Sequence, residues 1–251
     1  MFWALLGALL IGISLGLLGS GGSILTVPVL IYLVGEPEKV AIAESLGVVA
    51  AISMVGMIPY AIRKEVDWKS VFFFGIPGMA GTYGGAALSS YLSGTTQLLI
   101  FAVVMILAAG MMIKNGDEAN PEKKLNVSKY LLIIEGLVVG VITGLVGVGG
   151  GFLIIPALVL VAGLDMRVAV GTSLFIIAAK STLGFYKYLD VLRAESLDVN
   201  WELLGIFTVV GIIGSFVGGR VGRYVPQKTL KKGFGYFLVV MGIYILGTNI
   251  F

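Results

Sequence analysis

Gly16-Leu17-Leu18-Gly19-Ser20-Gly21-Gly22-Ser23-Ile24-Leu25-Thr26-Val27-Pro28 and Gly144-Leu145-Val146-Gly147-Val148-Gly149-Gly150-Gly151-Phe152-Leu153-Ile154-Ile155-Pro156 are two copies of one pattern. Each is a glycine-rich turn inside an apolar run, closed by a proline. Such a turn breaks a helix and bares backbone N–H groups. In water that is an ordinary loop. In a bilayer, bare backbone is tolerated only where it is buried in protein or lines a polar cavity. Two breaks at matching places in two halves point to the binding site of a carrier.

Composition puts the chain in a membrane. It is 58% hydrophobic and 12% charged, with a mean hydropathy of +1.03. Apolar runs near the ~20 residues that cross a bilayer recur along it. A soluble core of this size could not hide so much apolar surface. No positive segment precedes the first run, so residues 1–19 read as a helix rather than a cleaved leader. The chain has no cysteine and no histidine. That removes disulfides, thiolate clusters, the commonest metal ligand and the commonest general base. No acidic pair stands at metal-ligand spacing, so neither an enzyme nor a metal or cofactor site is expected. A net charge of +3 is small, and no nucleic-acid partner is expected.

The halves repeat. Pro28 and Pro156 lie 128 positions apart, and at that offset Gly16, Gly19, Gly21, Gly22, Leu25, Gly35, Ser45, Ser53, Gly56 and Tyr60 meet identical residues. Beyond an insertion the offset becomes 133 and pairs Trp68/Trp201, Gly78/Gly211, Gly81/Gly214, Gly85/Gly218 and Tyr91/Tyr224. Chance does not keep glycines in such register. Gly78, Gly81, Gly85, Gly211, Gly214 and Gly218 read as contacts for close helix packing. The turn clusters read as pocket lining.

The expected architecture is all-α and membrane-integral. Two inverted repeats each comprise a glycine-broken hairpin and three transmembrane helices. The first repeat is 1–113, the linker 114–129 and the second repeat 130–251. The helical runs are Phe2 to Leu18, Ile24 to Val34, Val40 to Ile62, Trp68 to Tyr91 and Thr95 to Ile113. The second set is Tyr130 to Val146, Phe152 to Ala162, Met166 to Leu189, Trp201 to Val225 and Leu230 to Ile250. If each turn closes a hairpin, thirteen Lys and Arg fall on one side and only Lys39, Lys187 and Arg193 on the other. If the turn is a kink in one crossing, the charges split almost evenly. The positive-inside rule favours the hairpin, with the linker cytoplasmic and both termini outside. Parity does not say whether the hairpins cross fully or re-enter.

The two turns, the two-half organisation and Val168-Ala169-Val170-Gly171-Thr172-Ser173-Leu174 resemble the sulfite exporter TauE/SafE family, also called the toluene sulfonate uptake permease family. The first copy departs from the last motif, reading Val40-Ala41-Ile42-Ala43-Glu44-Ser45-Leu46. The resemblance covers essentially the whole chain. It implies a multi-pass carrier in the cell membrane, moving sulfite, sulfonates or related small sulfur-containing anions, with export as the expected direction. An anion channel built from the same residues, or a non-transporting membrane assembly protein, are the alternatives. A homo-oligomer is compatible with the sequence.

Lys180 is the one lysine deep inside an apolar run, and its repeat-mate is Ile52. A charge at that depth costs several kcal/mol unless paired or solvated, and marks a functional candidate. It reads as an anion site, or as half of a structural ion pair. Glu44 reads as its partner, as a protonatable coupling group, or as a solvated residue near the outer face. Glu135 reads as a surface carboxylate at a helix start. Ser45, Thr172 and Ser173 follow the hairpins, and Ser53 and Ser181 follow two turns later. Hydroxyls there bind an oxyanion or bond their own helix. The expected substrate site therefore comprises Gly19, Ser20, Gly21, Gly22, Ser23, Gly147, Val148, Gly149, Gly150, Gly151, Ser45, Ser53, Thr172, Ser173, Lys180 and Ser181. Free N–H groups at Ser20 to Ser23 and Val148 to Gly151 are its expected anion donors. Trp3, Trp68 and Trp201 read as interface anchors.

Overall fold

The computed structural model describes residues 2–18, 22–114, 129–222, 224 and 227–250. Among the described residues ten helical elements run in order, five in each half. The first half has α1 (Phe2–Leu18), α2 (Gly22–Val34), α3 (Glu38–Ile62), α4 (Trp68–Tyr91) and α5 (Gly94–Lys114). The second has α6 (Lys129–Val146), α7 (Gly151–Pro156, continued by Ala157–Val161), α8 (Met166–Ala194), α9 (Trp201–Val221) and α10 (Gln227–Ile250). No strand occurs among the described residues. Helices α3, α4, α8 and α9 are long and apolar enough to cross a membrane, and α1, α2, α5, α6 and α10 carry shorter apolar stretches. Of the expected linker, Lys114 ends α5 and Lys129 begins α6, and residues 115–128 lie outside the described residues.

Local chemistry explains the irregularities. Helices α2 and α7 widen to π-helix right after Pro28 and Pro156. A proline removes one i→i−4 bond and presses its ring on the preceding turn, and a wider turn relieves this. Helix α8 runs past the expected end at Leu189 to Ala194. Its apolar face continues through buried Val191 and Leu192, and Lys187 reaches Asp190 at 3.5 Å on the outer side. Helix α9 stops at Val221, short of the expected Val225.

The two halves are interleaved. Helix α1 packs along α9 of the other half, and α6 packs along α4. Helices α3 and α8 pack on each other, as do α5 and α10. The glycines make the first two contacts close. A Cβ on Gly81 would overlap the Leu137 carbonyl of α6, and one on Gly214 would overlap the Leu9 carbonyl of α1. Leu9 and Leu137 are repeat-mates, so equivalent atoms meet in both halves. Gly85 against Val141 and Gly218 against Ile13 repeat this one turn later. The packing role expected for these glycines is what they perform.

Helices α3 and α8 form the centre and run antiparallel. At one end Lys39, in the first turn of α3, pairs with Glu195, just past α8. At the same end Glu44 Oε1 accepts from the Asn200 N–H at 2.8 Å. At the other end Thr172 Oγ1, in α8, accepts from the Asp67 N–H at 2.8 Å. These two bonds are repeat-mates. Asn200 and Asp67 also cap α9 and α4 with their side chains, accepting from Leu203 and Ser70. Each central helix thus fixes the start of one fourth helix, through a Glu in one half and a Thr in the other.

Candidate functional site

The second glycine turn lies between α3, α6 and α8. It is buried throughout, from Gly147 to Gly151. Gly147 and Gly150 have φ of 71° and 72°, the left-handed region that glycine enters without strain. Gly149 is glycine for space. A Cβ there would stand 2.6 Å from Val49 Cγ1, 3.0 Å from Ile177 Cγ2 and 3.0 Å from Ser181 Oγ. Val49 and Ile177 are themselves repeat-mates on α3 and α8. The tip of the turn therefore sits where the two central helices meet, and α2 touches α7.

The turn also decides which N–H groups are available. The Gly147 and Val148 N–H groups both donate to the Thr143 carbonyl, at 3.0 and 3.2 Å. Val148 was an expected donor, and the structure corrects this: its N–H is spent in closing the turn. The N–H groups of Gly149, Gly150 and Gly151 have no hydrogen bond among the described residues. They precede α7, whose first bonds run from Leu153 and Ile154 back to the Gly150 carbonyl.

Lys180 reaches this turn. Its side chain is 1% exposed, and its Nζ has no hydrogen bond or ion pair to any described residue. The Nζ lies 3.2 Å from where a Gly150 Cβ would be, and its Cδ 3.1 Å from where a Gly78 Cβ would be. Glycine at 150 and 78 makes the room into which the lysine extends. Ser181 Oγ, also fully buried and without a partner among the described residues, stands beside Gly149. An ammonium, a hydroxyl and three N–H groups without partners among the described residues lie at this turn. The ammonium and N–H groups only donate and the hydroxyl can donate too, which suits an anion with several oxygens.

Other expected site residues separate into groups. Glu44 is fully buried, so it is not the solvated residue considered above. It binds Asn200 rather than Lys180, and its Oε2 has no partner among the described residues. Thr172 holds Asp67, and Ser173 Oγ donates to the Val170 carbonyl at 2.8 Å. Ser45 and Ser53 are fully buried hydroxyls on α3 with no partner among the described residues. Gly22 and Ser23 begin α2 and are buried. Gly19, Ser20 and Gly21 lie outside the described residues. Glu135, expected as a surface carboxylate, is half-buried, and its Oε2 is shielded with no partner among the described residues.

Thr143 was missed. Its Cβ and Cγ2 lie against Gly150, and its carbonyl closes the turn. The repeat offered the signal. Thr143 pairs with Leu15, and Lys180 with Ile52. In the first half Leu15 lies against Gly22, the mate of Gly150, and Ile52 lies against Gly211, the mate of Gly78. Two equivalent seats therefore exist, one lined by Leu15 and Ile52 and the other by Thr143 and Lys180. Among the described residues, only the second holds an ionisable side chain.

The family model described as "Sulfite exporter TauE/SafE" matches residues 4–245. A probable membrane transporter protein of Xylella fastidiosa (strain 9a5c) is 31% identical over 244 residues, covering 94% of this chain and 91% of the relative. The probable membrane transporter protein YunE of Bacillus subtilis is 28% identical over 263 residues, covering 94% and 93%. A probable membrane transporter protein of Haemophilus influenzae is 27% identical over 254 residues, covering 95% of each. No solved structure matches the chain.

Proposed function

We propose, for a chain that belongs to the sulfite exporter TauE/SafE family and is a membrane transporter rather than an enzyme, that its cargo is sulfite, an organosulfonate or a similarly compact sulfur oxyanion. The observation that carries this reading is the Lys180 ammonium against the second glycine turn. A sulfur oxyanion offers three or more acceptor oxygens to the Gly149–Gly151 N–H groups and the Ser181 hydroxyl. Lys180 offsets its charge. Neutral donors supplemented by one cation hold an anion without binding it too tightly for release.

Transport is by alternating access, with export as the direction. The antiparallel α3 and α8, each fixing the fourth helix of one half, support two inverted repeats: 1–113 and 130–251, joined by the 114–129 linker. Inverted repeats rock about a central site and open it to each side in turn. Arg63, Arg167 and Arg220 gather around one cleft, whereas Lys39 lies at the opposite end of α3. That distribution supports a cytoplasmic arginine side, with both termini outside.

Two experiments test the reading. Purified protein should be stabilised against heat by sulfite or by one of sulfate, taurine and sulfoacetate, and not by acetate or chloride. Stabilisation by none of the sulfur anions overturns the cargo assignment. For topology, single cysteines can be placed cleanly in a chain that has none. A cysteine replacing Asn120 should resist impermeant maleimide added to intact cells, and one appended at the C-terminus should react. The reverse pattern rejects this orientation.

A further inference from the structure

A second basic feature lies apart from Lys180. A cleft of about 950 Å³ opens between the end of α1, the ends of α3 and α9 and the start of α8. Arg63, Arg167 and Arg220 line it, with Glu65 as the one carboxylate among its described lining residues. No ion pair ties any of these arginines to a carboxylate among the described residues. Three exposed arginines from three different helix ends therefore line one cleft, none of them ion-paired to a described carboxylate. Guanidinium forks match oxyanions in a bidentate way that ammonium groups do not.

The cleft also points inward. Its lining includes Leu15, which lies against Gly22 at the start of α2, and Gly56, one helical turn beyond Ser53. At 1.5 Å per residue, Arg167 stands about 20 Å along α8 from Lys180, and Leu174, at the cleft wall, about 9 Å. The arginines are thus too far to share an ion with Lys180, yet the wall they rim reaches the start of α2 through Leu15 and runs along α8 to Leu174.

We propose that this cleft is a cytoplasmic-side capture site for a small oxyanion, filled before the ion reaches the turn. The proposal rests on the transport reading for the identity of the ion, but not for the binding itself. A sulfonate or sulfate group and a lipid phosphate share the chemistry that three guanidiniums recognise. We assign the cleft to the free ion, because it is lined by residues from α1, α3, α8 and α9 that reach inward to Leu15 and Leu174. Converging positive charge in a concavity concentrates anions and accelerates their arrival by about tenfold or more at low salt.

The test is sulfate binding by calorimetry in nanodiscs of phosphatidylcholine, at low and high ionic strength. Wild type, Lys180→Met and the triple variant Arg63→Gln/Arg167→Gln/Arg220→Gln are compared. Wild type should show two components, one weakened about tenfold or more by salt. The triple variant should lose the salt-sensitive component and keep the other. Lys180→Met should do the opposite. A triple variant that binds as wild type does, at both ionic strengths, overturns the capture site. Lys180→Met binding as wild type overturns the inner site instead, and leaves the cleft standing if the triple variant still loses its component. Repeating wild type with phosphatidylglycerol in the discs separates the two sources. If the salt-sensitive component disappears there, a lipid headgroup fills the cleft and capture of the free ion is refuted.

Discussion

Gly149→Val is expected to reduce sulfite transport by reconstituted protein about 100-fold or more, with the protein still folded and inserted. A Cβ at this position stands too close to Val49 Cγ1, at 2.6 Å. Val49 is fully buried and β-branched, with one stiff torsion, and cannot swing away. The turn must move instead, and it carries the Gly149–Gly151 N–H groups with it. A displacement near 1 Å in an aligned site costs about 100-fold. Overpacking in a core costs about 1–3 kcal/mol, which lowers the melting temperature without preventing folding. Gly149→Ala puts its Cβ at the same point, so it should show a smaller loss in the same direction. Gly84→Val is the control, because no atom lies within 4 Å of a Cβ there. It should transport normally. Wild-type transport by Gly149→Val, with a folded control beside it, removes the turn from the site.

Much of this arrangement is legible in the sequence, and the reason is spacing. The helix breaks are visible because Gly-rich turns interrupt apolar runs at a fixed offset. The packing role of Gly81, Gly85, Gly214 and Gly218 is visible because small residues recur every four positions on one face. What spacing does not reveal is the partner. A glycine stripe on α9 says that a helix comes close, but not that α1 of the other half is that helix. Glu44 shows the same limit. An isolated carboxylate in an apolar run signals cost and therefore purpose. Its acceptor role toward the Asn200 N–H depends on a contact 156 positions away. The matching bond from Asp67 to Thr172 makes the role of Glu44 in fixing α9 parallel to that of an uncharged hydroxyl. Thr143 escaped because a threonine in a membrane helix carries no cost. Only its exchange for Leu15 across the repeat, together with Lys180 for Ile52, singles it out.

Lys180→Met should move stability and binding in opposite directions, which a structural lysine would not do. The ammonium is buried without a hydrogen-bonding partner among the described residues, so in the empty protein it is a burden. Leaving a polar group buried and unsatisfied costs about 1–3 kcal/mol. Methionine, one atom shorter, keeps the stem beside Gly78 without that cost. The melting temperature of the unliganded variant should therefore rise. The same change deletes a charge-assisted contact worth about 1.5–3 kcal/mol to a bound anion, or roughly 10- to 150-fold in affinity. Lys180→Arg should recover part of the affinity, limited by a planar group in space shaped for an ammonium. The repeat supplies the reciprocal test. Ile52→Lys puts a lysine stem against Gly211, with its ammonium directed to Gly22, in a seat where Leu15 stands in place of Thr143. It should lower the melting temperature, and it should not restore binding when combined with Lys180→Ile. A seat rebuilt fully, with Leu15→Thr and Ile52→Lys, should regain affinity in that background. A Lys180→Met protein that melts lower than wild type and still binds sulfite with wild-type affinity would make the lysine structural, and would leave the glycine turn and Ser181 as the whole of the anion site.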